Sequence, residues 1–205
     1  MAQELLMAGA LVALLAATAT GGAESAPPGT MATIDACSLL DVDDIRAAVG
    51  MPVDSGVRRD SGLESNGAYS SSCVWVLRPN VSAAPDPSKP LGGRSFVIMN
   101  AMQWPAGSGL AHTFLDSFRQ AAADGEIPSQ PQARHFGDEA LSWGDGLAVR
   151  QRDVSFGVSV FIPGESKQRR DALQELLAPS ILRRLTARDN HDGPDVGTDE
   201  GRGSM

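Results

Sequence analysis

Apolar and polar positions along this chain repeat with two periods. Val42, Ile45 and Val49 recur at helical spacing directly after Asp41. An aspartate there suits an N-cap, and Asp44 places a carboxylate in the first turn, where backbone N–H groups lack partners. Gly50 suits a left-handed cap and Pro52 opposes continuation, so the spacing predicts a short helix lying on one apolar face. A second helix is predicted over 109–123, capped by Ser108 and ended by Gly125. Leu110, Phe114, Leu115, Phe118 and Ala122 form its apolar stripe, with His112, Asp116 and Arg119 opposite. A third helix is predicted from a cap at Ser166 to about 186, with Leu173, Leu176, Leu177, Ile181 and Leu185 in the core. Pro179 lies inside it and is expected to kink or split it, because proline lacks a backbone donor.

Period two marks the strands. Cys73, Trp75 and Leu77 share one side of a strand over 72–77, and 95–102 is almost continuously apolar. Residues 147–152 and 154–162 read as a hairpin in which Val154, Phe156, Val158, Val160 and Ile162 alternate with small residues, the pattern of a half-buried antiparallel strand. A weaker strand is predicted over 53–58. The Gly- and Ser-rich stretch 59–72 reads as a loop, and 79–93, with four prolines, as a long exposed connection. The element order α-β-β-β-α-β-β-α predicts an α+β fold, an antiparallel sheet with amphipathic helices packed on one face. Both halves begin with a helix and continue with strands.

The N-terminus changes the picture. Residues 5–19 read LLMAGALVALLAATA. That run has signal-peptide length and falls short of the roughly 20 residues of a perpendicular membrane helix. It lacks the usual Lys or Arg ahead of it. We expect a signal peptide over 1–23, cleaved after Ala19 or Ala23, then a flexible lead-in over 24–34. A single domain over 35–186 and a disordered acidic tail over 187–205 follow. The protein is then periplasmic or extracellular; the alternatives are a membrane anchor over residues 5–20 and a buried N-terminal helix. Cys37 and Cys73 are the two cysteines, and in an oxidising compartment they would most simply pair. The alternative is two separate buried thiols. Ile34-Asp35-Ala36 before Cys37 does not read as a lipid-attachment motif.

Charge and motifs narrow the chemistry. The net charge is -8, from 25 acids against 17 bases, so a nucleic-acid-binding surface across the molecule is not expected. The last helix is enriched in Lys167, Arg169, Arg170, Arg183, Arg184 and Arg188. Such a basic face suits peripheral contact with an anionic membrane or an acidic partner; an ordinary solvated helix face is the plainer reading. No nucleophile elbow, P-loop, zinc-protease motif or dinucleotide glycine pattern occurs. His112, His135 and His191 lack metal-ligand spacing, and no metal or cofactor is expected. The segment Gly137-Asp138-Glu139-Ala140 is the best candidate for a special loop. His135, Asp138 and Glu139 there suit ligand contact or acid–base work. Adjacent acids seldom flank a substrate, however, and Asp138 more readily accepts backbone N–H groups and fixes a turn.

Several short motifs together resemble a known family. They are Cys37-Ser38-Leu39-Leu40, Asp44-Ile45 with Gly50, Cys73-Val74-Trp75, Phe136-Gly137-Asp138-Glu139-Ala140, Leu147-Ala148-Val149-Arg150 and Asp153-Val154. This pattern resembles a widespread, chiefly actinobacterial family of small secreted proteins and lipoproteins of unknown function. The resemblance covers most of 36–186. It implies an exported α+β domain with a cysteine bridge and carries over no catalytic residue. The expected function is an exported cell-envelope accessory or binding protein without catalytic activity, its partner an envelope protein, a lipid or a small molecule. The alternatives are a membrane-complex subunit held by an uncleaved N-terminal helix, and an enzyme with a site near His135, Asp138 and Glu139.

Overall fold

A computed structural model describes residues 33–78, 93–127, 130–143 and 145–191. The expected signal peptide, the proline-rich connection between 79 and 92, and the tail beyond 191 lie outside the described residues. Four helices and seven strands are present among those residues. Helices α1 (Ala36–Leu39) and α2 (Val42–Val49) precede strands β1 (Val57–Leu63), β2 (Tyr69–Val76) and β3 (Phe96–Gln103). Helix α3 (Thr113–Ala123) then leads into β4 (Gln132–Arg134), β5 (Glu139–Ser142), β6 (Leu147–Gln151) and β7 (Val154–Phe161), and α4 (Lys167–His191) closes the order.

The strands form one sheet in the order β1-β2-β3-β7-β6-β5-β4, antiparallel throughout. It consists of two meanders, β1-β2-β3 and β4-β5-β6-β7, joined where β3 pairs with β7. Register fixes the faces. Cys73 lies opposite Met99, Met99 opposite Val158, and Val158 opposite Leu147, so one line of buried side chains crosses the sheet. With Trp75, Val97, Ala101, Val149 and Phe156 they form the main core, closed by Leu39, Leu40 and Ile45 of the first helices and by Leu173, Leu177 and Ile181 of α4. The mixed α+β architecture with an antiparallel sheet is therefore present, and α1, α2 and α4 share one face. Helix α3 packs on the opposite face, where Leu115 meets Leu141 and Ala148 beside Phe118 and Trp143. This second cover explains why β7 is buried on both faces for most of its length rather than half-buried.

Local chemistry accounts for the helix ends. Asp41 accepts the Asp44 N–H at 2.9 Å, and Gly50 adopts φ 71° with its N–H on the Arg46 carbonyl. Ser108 accepts the Leu110 N–H at 3.2 Å ahead of a single 3-10 turn that opens α3. Leu110 is 38% exposed, so the apolar stripe of this helix starts one turn later than expected.

Five further expectations need correction, the first being Leu176, expected in the core of the last helix and in fact 59% exposed. The stretch 59–72 is not a loop: it supplies most of β1, a tight turn, and the first half of β2. Serine composition hid a strand whose buried positions are Ser71, Cys73 and Trp75, with Ser71 accepting the Ala36 N–H at 3.0 Å. The strand expected over 53–58 shrinks to a single bridge between Val53 and Leu77, and β1 begins at Val57. Short strands β4 and β5, absent from the expected order, continue the sheet beyond β6. Finally, α4 runs through Pro179 without interruption and past 186 to His191. Pro179 is exposed there, so the carbonyl its ring leaves without a donor can turn to water.

Candidate functional site

The loop joining β4 to β5 is built around Gly137. Its φ is 57°, and a β-carbon at this position would lie 2.5 Å from the Arg150 carbonyl oxygen and 2.9 Å from Val149 Cγ1. Glycine is therefore required by both conformation and space. Close approach lets the Asp138 N–H donate to the Arg150 carbonyl at 2.9 Å. The Asp138 carboxylate then accepts the Arg152 N–H at 2.6 Å and Arg150 Nη1 at 3.2 Å. Arg152 opens the two-residue turn between β6 and β7 and has φ 53°, an uncommon conformation for a residue with a side chain. Asp138 thus latches that turn from a neighbouring loop.

Glu139 faces Arg150 across the β5–β6 ladder. One of its oxygens accepts Arg119 Nη2 from α3, and the other lies 3.5 Å from Arg150 Nε. That second contact is an ion pair without hydrogen-bond alignment, since Arg150 Nε has no hydrogen-bond partner. Arg119 also holds Asp116 at 2.6 Å. The Glu139 hydrogen bond, opposed by some burial and aided by Asp116, raises the Arg119 pKa. His112 contacts the Gly109 carbonyl and stands 3.7 Å from Asp116 at an exposed position. His135 is also exposed, and Phe136 beside it packs against the main core. Asp138 and Glu139 therefore come together, but with Arg119, Arg150 and Arg152 rather than with His135. These partners escaped the sequence reading because they come from α3 and the β6–β7 hairpin, and only the packing of α3 and the ladder bring them in. Among the described residues no group of three or more His, Cys, Asp or Glu side chains is placed to hold a metal ion.

The basic residues of α4 separate into different surroundings. Arg184 points to the first helices, donating to Asp41, Asp44 and the Leu39 carbonyl. Ser180 donates to Asp44 at 2.9 Å. Burial pushes the Asp44 carboxyl up, but the Arg184 and Ser180 hydrogen bonds and the guanidinium charge outweigh it and hold the carboxyl below its ordinary value. Lys167 pairs with Asp171 at 2.6 Å, and Arg170 reaches the Glu165 carbonyl at 2.8 Å and Asp145 at 3.7 Å. Arg169 and Arg183 remain on the solvent side. The five residues do not form one free basic face.

Cys37 of α1 and Cys73 of β2 form a disulfide with a Cα–Cα distance of 5.1 Å. Cys73 is fully buried, and Gly56 passes directly over it: a β-carbon there would lie 2.6 Å from Cys73 Sγ and from Trp75 Nε1. No helix among the described residues is long and apolar enough to cross a membrane. No family model matches the chain, and neither a curated protein nor a solved structure matches it.

Proposed function

We propose that this is an exported cell-envelope protein, periplasmic or extracellular, that acts by binding rather than by catalysis. The observation that carries the reading is the Cys37–Cys73 disulfide, which joins half-buried Cys37 of the first helix to fully buried Cys73 of the sheet at the edge of the main core. Such bridges form and persist in oxidising compartments. The signal-like run at 5–19 and the resemblance to secreted actinobacterial proteins support the same assignment. Binding is favoured over catalysis because Asp138 and Glu139 are engaged by cations and backbone groups of their own fold. A general acid or base needs a carboxyl within reach of a substrate proton.

N-terminal sequencing of protein from its native cells tests export: a chain beginning after Ala19 or Ala23 supports it. Met1 retained on detergent-extracted protein contradicts cleavage and favours a membrane-held subunit. Cross-linking in the intact envelope, followed by mass spectrometry, then identifies the bound partner.

A further inference from the structure

The solvent side of α4 carries a mixed stripe. Arg169, Ala172, Leu176, Pro179 and Arg183 follow one another at spacings of three or four and are all exposed, Leu176 by 59%. Beside its second half lies an open hollow of about 640 Å3 bordered by Pro179, Leu182, Arg183, Thr186 and Ala187. Every carboxylate on the helix is already held: Asp171 by Lys167, Glu175 by Arg134 and Asp189 by Arg152. Arg183 donates only to the Ser180 hydroxyl, and Arg169 has no ion pair among the described residues. The stripe thus presents apolar surface and uncompensated positive charge on a protein whose net charge is -8.

We propose that this face of α4 is a receptor for an acidic segment, and that residues 192–205 of the same chain are its occupant. Charge complementarity points to that segment. It contains Asp192, Asp195, Asp199 and Glu200 against Arg202, with Val196 as an apolar residue between the acids. Its starting point agrees. The segment leaves from His191, and Arg183 lies eight residues back along the helix, about 12 Å at 1.5 Å per residue. An extended chain advances about 3.3 Å per residue, so Asp195 can just reach the level of Arg183, while Asp199 and Glu200 can return to it with about four residues to spare. Gly193-Pro194 is a pair that opposes helix continuation and suits reversal of the chain. The short tether makes the encounter intramolecular, at an effective concentration in the millimolar range, so weak pairs suffice. An outside ligand for this face must then displace the acidic segment. This inference stands apart from the reading of export.

The test compares the full chain with the same chain carrying Asp195→Asn, Asp199→Asn and Glu200→Gln, by amide chemical shifts. Outside the substituted segment, the expected result is a shift difference confined to Leu182, Arg183, Thr186 and Ala187. It should be present at about 0.01 M salt, where the screening length is about 30 Å, and lost at about 1 M, where it is about 3 Å. In an Arg183→Gln background, neutralising the acids should no longer move these amides. Identical shifts of these α4 amides in the two chains at low salt would overturn the proposal. So would a difference that survives Arg183→Gln or grows with protein concentration, the latter assigning the face to a second copy.

Discussion

The two meanders of the sheet are held by different means. In the first, α1, α2 and β1–β3 are tied by contacts distant in sequence: the Cys37–Cys73 bond, the Ala36–Ser71 hydrogen bond and the Arg184 clasp on Asp41 and Asp44. In the second, β4–β7 are neighbours in sequence as well as in space, and register follows from alternation and a two-residue turn latched by Asp138. Local pairing needs little loop closure, whereas the first meander brings its helices to the sheet across long separations. A covalent bond is most effective where the loop it closes is long.

That contrast can be broken at its strongest point first. Replacing both Cys37 and Cys73 by alanine should destabilise the protein by about 4 kcal/mol, the chain-entropy value for their separation of 36 residues. Hydrogen exchange should rise first in α1, β1 and β2, with β6 and β7 protected longest. Uniform loss of protection would erase the distinction between the meanders.

Gly137→Ala attacks the second meander. The new methyl meets the Arg150 carbonyl, a backbone atom with little freedom, and the position keeps a positive φ. Overpacking and backbone strain together should cost about 3 kcal/mol in chemical denaturation. A loss below about 1 kcal/mol would show that the loop can move away from β6.

Arg184→Ala removes the clasp and should cost about 2 kcal/mol, as expected for hydrogen bonds to a partly buried charge. The same clasp gives a pH dependence. The folded Asp44 pKa lies below its unfolded value of about 4, so its stabilisation is complete above that value and is lost as the pH falls through the lowered folded value. Acid unfolding below about pH 4 should therefore depend less steeply on pH in the Arg184→Ala protein. Equal slopes would remove Asp44 from the account.

Asp138→Ala should have the smallest effect, about 1 kcal/mol, since the latch is exposed and its loss leaves the Arg152 N–H open to water. Thermal unfolding measures it. Unchanged stability combined with loss of a bound partner would turn this loop from a structural latch into a contact site.

The parts legible in sequence are those that local spacing fixes, in either meander. Val154, Phe156, Val158 and Val160 announce β7 by alternation alone, and the Asp41 and Gly50 caps of α2 depend only on residues within one turn. The start of β2 could not be read this way. Ser71 is buried because Ala36, 35 residues earlier, supplies a donor, and nothing within 59–72 reports that contact. Strands β4 and β5 are three and four residues long, too short for a periodic signal. At the candidate site Asp138 stood out through its Gly137 neighbour, yet Arg119 and Arg150 carry no mark of their role until the helix and ladder place them beside Glu139. Arg184 looked like its neighbour Arg183; one faces inward and the other outward, a difference set by helix phase against α2.

The Cys37–Cys73 bond pins the first meander, and the proposed export requires that it form in the cell. Peptide mapping of native envelope or secreted material under non-reducing conditions tests it most directly. The account predicts one linked pair of peptides containing Cys37 and Cys73, and a lower melting temperature after reduction. Both thiols free in that material, with melting unchanged by reductant, would contradict it.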